Sequence, residues 1–208
     1  MLFRSTLFEA DTRFGGHAHT VDVTLEVRTH GVDTGFLVFN PRTYPRLVQL
    51  FDTLGVQAAP AEMSFSVQSE GLEWSGASLD AVFAQRRNLL RPRFWRMLAE
   101  ILRFNRVATA AVCAGTAADE PLGTFLERHR FSALFRQAYL LPMVGSIWSC
   151  PTEQMLQFPL ATMLRFCHNH GLLQVRHRPQ WMTVAGGSRQ DRKSTRLNSS
   201  HTDISRMP

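Results

Sequence analysis

Near the start of this 208-residue chain an acid, an arginine and a glycine pair stand close together: Glu9, Arg13, Gly15 and Gly16, followed by His17. Thr6-Leu7-Phe8 reads as a short apolar strand that ends in Glu9. An acid in that position accepts hydrogen bonds from the paired hydroxyls of a nucleotide ribose, because a carboxylate offers two oxygens to two donors. In folds built this way the acid closes the second strand. A first strand, a G-x-G-x-x-G turn and a helix, roughly 30 residues together, stand before it and hold the pyrophosphate on backbone amides. Met1 lies only eight residues before Glu9. The expectation is therefore a nucleotide-binding fold without its phosphate-binding unit.

Other residues that could do chemistry are sparser. His17 and His19, and again His168 and His170, are two apart. That spacing suits one face of a strand, but on a helix it diverges by about 200°. No Cys or carboxylate nearby completes a four-ligand set, so no metal is expected; His168 and His170 are read as balancing a helix dipole. Cys113, Cys150 and Cys167 are odd in number and widely spaced, which suggests neither a disulfide framework nor a zinc site but buried thiols. Arg86, Arg87, Arg91, Arg93 and Arg96 form the densest basic cluster, interleaved with Leu89, Leu90, Phe94 and Trp95. Two readings stand for segment 86–96: a solvated arginine face over a packed helix, or a peripheral contact with an anionic membrane surface. Nucleic-acid binding is not expected, because no recognition module accompanies the charge.

Composition bounds these readings. With 44% hydrophobic residues the chain can bury a real core. No apolar run approaches the roughly 18 residues of a membrane span, and no leader pattern opens the sequence, so a cytoplasmic location is the default expectation. The formal charge is +6, and 22 of the 23 basic residues are arginine. Segment 189–208 supplies +3 of that charge, carries the only lysine, Lys193, and is rich in Ser, Thr, Arg and Asn. Its composition predicts disorder, and it resembles a translated sequencing adapter, so it is expected to be non-native.

The elements needed to position the candidate residues follow a mixed order. Val21, Val23, Leu25 and Val27 alternate with polar residues as in a half-buried strand, and Gly35 to Phe39 reads as a more buried one. A helix is predicted over Pro41 to Leu54, capped by Asn40 and stopped by Gly55. Ser64 to Val67 and Leu72 to Ser75 read as a hairpin. Beyond Ser78 the pattern is helical. Pro92 to Ala111 is the clearest helix, with Trp95, Leu98, Ile101, Leu102 and Asn105 assigned to its buried face. Shorter helices are predicted at Leu122 to His129, Ser132 to Leu141 and Pro159 to His170. Strands return at Gln174 to Arg176 and Trp181 to Val184, before Gly186-Gly187.

Taken together, several segments resemble the flavin-containing amine oxidase and phytoene desaturase superfamily, more narrowly a bacterial group of FAD-dependent oxidoreductases. They are Leu7 to Ala10 with Arg13 to His17, Val32 to Asn40, Met63 to Ser66, Arg86 to Pro92, Leu140 to Met143, Ile147 to Pro151, Phe166 to Leu173, and Pro179-Gln180-Trp181 through Gly187. The resemblance implies an α/β fold: an incomplete FAD-binding Rossmann-like sheet domain of the glutathione-reductase type, with an inserted, mostly helical substrate subdomain. The sheet domain would occupy 1–77 and return over 174–188, and the helical insertion 78–173.

The resemblance also implies roles. Glu9 would hold the ribose of FAD, Arg13 would lie near the diphosphate, and Gly15, Gly16 and His17 would let backbone approach the cofactor. Gly35 and Phe36 would lie near the flavin ring, Gly186 and Gly187 would return the chain to it, and Trp181 would border the substrate. The implied activity is hydride transfer between flavin and a small apolar substrate, a fatty-acyl chain among the candidates. No acid, base or nucleophile is nominated. The alternative is a cofactor-free fragment, a lipid- or partner-binding helical module without activity, and as a truncated chain the protein is expected to be inactive alone.

Overall fold

The computed structural model describes residues 8–10, 12–13, 15–69, 71–116, 120–175 and 178–189. In chain order its elements are β1 (Thr20–Leu25), β2 (Arg28–Asp33), α1 (Pro45–Leu54), β3 (Ala58–Ala61), β4 (Ser66–Ser69) and β5 (Leu72–Ser75). The helical stretch follows: α2 (Leu79–Val82), a 3-10 turn (Arg86–Leu90), α3 (Pro92–Cys113), α4 (Leu122–Arg128), α5 (Ala133–Phe135), a π segment (Arg136–Leu140), α6 (Leu141–Trp148), α7 (Thr152–Met155) and α8 (Leu160–Asn169). Strand β6 (Trp181–Val184) comes last. The chain divides into two compact units, one formed by 1–62 with 179–208, the other by 63–178. The mixed helix and strand class is the expected one. Among the described residues the strands form three antiparallel pairs, β1 with β2, β3 with β6 and β4 with β5.

In the first unit the alternating valines do not form one strand. The chain turns at Glu26-Val27, where Glu26 adopts φ 54°, and β2 runs back along β1 from Arg28. Val21, Val23 and Leu25 stay exposed, so the period of two is present but nothing covers the apolar face. Gly35 to Phe39 is not a strand either. Within it Phe39 alone forms a bridge, exchanging backbone hydrogen bonds of 2.8 Å with Met182. Helix α1 begins four residues later than predicted, because Asn40 caps a turn rather than the helix. Its Oδ1 accepts the Thr43 amide at 2.9 Å, and Pro45 then opens the helix at its first position. Gly55 ends α1 in the left-handed conformation, as its type requires. A small core gathers Phe39, Phe51 and Val184, with the Phe39 and Phe51 rings edge to face at 5.2 Å.

The second unit holds most of the buried apolar surface. Its spine is α3, which buries Phe94, Met97, Phe104 and Ala108. The Phe104 ring meets Phe125, Phe131 and Phe135 at 5.5–6.2 Å. Trp95 and Leu102, assigned from sequence to the buried face, are about half exposed (49% and 57%), because the side of the helix that carries Phe94, Met97, Phe104 and Ala108 faces the core instead. The β4–β5 hairpin packs here as well: Trp74 is buried, and its Nε1 donates to the Ala138 carbonyl of the π segment at 3.1 Å. That contact explains why the first boundary falls after Glu62 rather than at 77. Gln174 and Val175 are not in a strand, and the chain re-enters the first unit at Pro179. Of the cysteines only Cys167 is buried, its thiol pushed up to about 12 by burial; Cys113 is exposed and Cys150 intermediate. No helix among the described residues is long and apolar enough to cross a membrane.

The orientation of α3 makes a sharp contrast testable. Phe104→Ala should lower the stability of the second unit by about 3–5 kcal/mol through the cavity it leaves. Leu102→Ala should change it by no more than about 0.5 kcal/mol. Urea unfolding of both variants, followed by tryptophan fluorescence, reads the difference.

Candidate functional site

The residues singled out by type and spacing gather at one end of the β1–β2 hairpin. Gly15 and Gly16 turn the chain with φ of 122° and 53°, and the Ala18 amide closes that turn on the Gly15 carbonyl at 2.8 Å. Arg13 folds over it, donating from Nη1 to the Gly16 carbonyl at 3.0 Å. Among the described residues nothing lies within 4 Å of the position a Gly16 Cβ would take, so on that side this stretch of backbone is open to approach. Beyond the turn the chain continues the hairpin's pairing. The Phe36 amide donates to the His17 carbonyl at 2.7 Å, and the Thr34 amide to that of His19 at 2.8 Å. At Gly35 the two chains are so close that a Cβ would sit 2.1 Å from the His17 oxygen. Gly15, Gly16, His17, Gly35 and Phe36 are therefore neighbours.

The second glycine pair arrives at the same end from the far end of the sequence. Gly186 and Gly187 have φ of 79° and 89°, and a Cβ on Gly187 would stand 2.8–2.9 Å from the Thr20 side chain. The turn is held by Asp33. Its Oδ1 accepts Thr20 Oγ1 at 2.6 Å and both Ser188 Oγ and the Ser188 amide at 2.9 Å, and its Oδ2 lies 3.1 Å from that amide. The Arg189 amide donates to Thr20 Oγ1 at 3.0 Å, and its guanidinium meets Asp22 through two contacts of 2.7 Å. Arg189, counted from sequence with the tail, thus packs with the first unit; 190–208 lie outside the described residues. Burial alone would raise the Asp33 carboxyl. The hydrogen bonds from Thr20 and Ser188 and the charge of Arg189 more than offset it and hold the group below its usual range. The hydrogen bond from Arg189 likewise lowers Asp22.

Other predicted residues stand apart from this cluster. Glu9 is exposed and outside any strand; of the strand expected over Thr6 to Phe8, Phe8 is exposed and in no strand, and Thr6 and Leu7 lie outside the described residues. Trp181 is half-buried in β6, opposite Ala61. His168 and His170 stand where a helix end is read from sequence: His168 lies in the last turn of α8, and His170 follows it with its amide and Nδ1 at 3.0 and 2.9 Å from the Phe166 carbonyl and its ring buried against that of Phe166 at 3.9 Å. Asp33, Thr20, Ser188 and Arg189 were missed. The signal was present in the sequence, an acid two residues before one required glycine and a hydroxyl residue directly after another. In the second unit a cleft of about 340 Å³ is lined by Val107, Ala111, Phe125 and Leu160 together with His129 and the Glu120–Arg128 ion pair.

The family model for flavin-containing amine oxidoreductases matches residues 3–175, and the chain belongs to that family. A comparison with curated proteins returned no match.

Two outcomes follow. Gly35→Ala should break the Phe36–His17 pairing and cost about 3 kcal/mol or more, whereas Gly16→Ala, strained only by its φ, should cost about 1–2 kcal/mol; thermal unfolding ranks them. Asp33 has a folded-state value below its unfolded one, so its contribution is complete above about pH 5 and fades as pH falls through the folded value. The protection factor of the Ser188 amide, its slowing relative to an unstructured amide at the same pH, should fall over that acid range. In Asp33→Asn it should be low at every pH.

Proposed function

We propose that this chain is the FAD-binding and substrate-binding part of an oxidoreductase that moves a hydride between flavin and an apolar substrate. The carrying observation is the meeting of Gly15-Gly16, Gly35 and Gly186-Gly187 at one end of the β1–β2 hairpin, from segments some 170 residues apart. The residues fit the group. The open Gly16 backbone lets a diphosphate come close, Arg13 supplies a guanidinium beside that turn, and Glu9 offers its carboxylate to the adenosine ribose. A Rossmann-like sheet of the glutathione-reductase type is the arrangement in which these residues would work.

When bound, the flavin supplies the two-electron redox chemistry. The chain's own residues supply position. Asp33 holds the Gly186–Ser188 turn against β1, and the close approach at Gly35 keeps Phe36 in register beside His17, so the backbone facing the cofactor is fixed before it arrives. The apolar cleft of the second unit supports an apolar substrate: its volume lies in the range of small-molecule sites, and aliphatic and aromatic side chains dominate its wall.

The test is reconstitution of the full chain with FAD and, separately, with FMN, followed by desalting and the absorbance of retained flavin. FAD should be retained and FMN should not, since FMN lacks the adenosine ribose that Glu9 would hold. Glu9→Gln should weaken FAD retention about tenfold, the worth of one charge-assisted hydrogen bond. Retention of neither flavin, or equal retention of both, would sink the reading.

A further inference from the structure

Helix α3 presents its two apolar faces in opposite directions. The core takes Phe94, Met97, Phe104 and Ala108. The outward side carries Trp95, Ala99, Leu102 and Arg106, all exposed and spaced i, i+4, i+7 and i+11, which places them on one stripe. Just before the helix, the 3-10 turn projects Leu89 and Leu90, Leu90 at 88% exposure. Turn and stripe are joined, because Trp95 Nε1 donates to the Leu89 carbonyl at 2.9 Å and its ring packs on Phe83 at 5.0 Å. The indole is thus held in place with its N–H satisfied while half of its surface stays open.

Arginines surround this apolar strip. Residues 79–106 contain seven arginines, 86, 87, 91, 93, 96, 103 and 106, against two acids, Asp80 and Glu100. Asp80 pairs with Arg86 at 2.5 Å, and the buried Glu100 is shared by Arg96 at 3.5 Å and Arg103 at 3.9 Å. Arg87 and Arg91 both donate to the Gly71 carbonyl, a neutral group, and among the described residues no carboxylate pairs with either. The surface is therefore apolar along its axis, cationic along its flanks and carried on a helix about 33 Å long.

We propose that the outer face of the 3-10 turn and α3 is a docking surface for an anionic lipid bilayer, lying on it rather than spanning it. Leu89, Leu90 and Leu102 enter the acyl boundary, Trp95 sits at headgroup level, and Arg87, Arg91 and Arg106 meet lipid phosphates. Charge complementarity selects this occupant. A second copy would bring the same seven arginines against themselves, and like charges repel across an interface.

The experiment is co-sedimentation of the full chain with vesicles of equal parts phosphatidylglycerol and phosphatidylcholine, beside vesicles of phosphatidylcholine alone. The expected result is binding to the anionic vesicles only, released by raised salt. Leu90→Glu should weaken it roughly tenfold, and Arg106→Gln about fivefold. Leu50→Glu, on the exposed side of α1 in the other unit, should leave it unchanged. Leu90 is so exposed that its variant keeps the fold, which circular dichroism verifies; Leu102→Glu serves as a second probe of the same stripe. Equal binding to both vesicle types, no binding to either, or an unaffected Leu90→Glu variant would each overturn the proposal. So would a dimer that Leu102→Glu dissolves, since the stripe would then belong to a second copy.

Discussion

The Asp33 carboxylate is the constraint on which the first unit turns. A hairpin whose apolar side chains are uncovered has little to hold it, and a core of three fully buried residues is thin. Asp33 ties the end of β2 to the start of β1 through Thr20 and draws in the Ser188 amide and hydroxyl from 155 residues away. Hydrogen bonds to an ionised acceptor are stronger than neutral ones, and this carboxylate collects several. Gly187 has no side chain because Thr20 and Asp33 occupy the space where one would go. The glycine pair, the acid and the two hydroxyl residues form one device: removing the side chain at 187 creates the gap that Asp33 and Thr20 close.

The second unit is held differently. There the aromatic contacts around Phe104 and the Trp74 anchor do the work that hydrogen bonds do in the first, and Glu100, the one buried acid among the described residues, accepts from the Ser132 hydroxyl and amide to join α3 to the start of α5. Arg103 stacks over the Phe131 ring at 4.2 Å, so even a charged residue of α3 contributes mainly by covering apolar surface.

Much of this was legible in the sequence where one local rule decides the outcome. Gly55 stops α1, Pro92 opens α3, and β5 falls on Leu72 to Ser75, because turn and cap residues act over a few positions. The grouping of Gly15-Gly16, Gly35 and Gly186-Gly187 was legible only through resemblance, since their meeting depends on pairings across the whole chain. What misled was periodicity without volume. The valines at 21, 23 and 27 alternate correctly, yet nothing covers them, and Trp95 and Leu102 share a face with each other but lose the core to Phe94 and Phe104. Alternation and helical spacing say which residues face together; they do not say which of two apolar faces has a partner.

The pairing of β3 with β6 bears on how such a chain can diversify. Ala61 and Trp181 are ladder partners, and Gln180 Nε2 reaches the Ala61 carbonyl at 3.3 Å. The second unit is therefore strung between the two partners of the last rung of one antiparallel ladder, the place where an ordinary hairpin would need only a two-residue turn. To the first unit the whole of 63–178 is topologically a single loop. Its length, helix count and cleft can be rewritten by insertion, deletion or wholesale exchange without altering a single strand register of the unit that carries the glycine pairs.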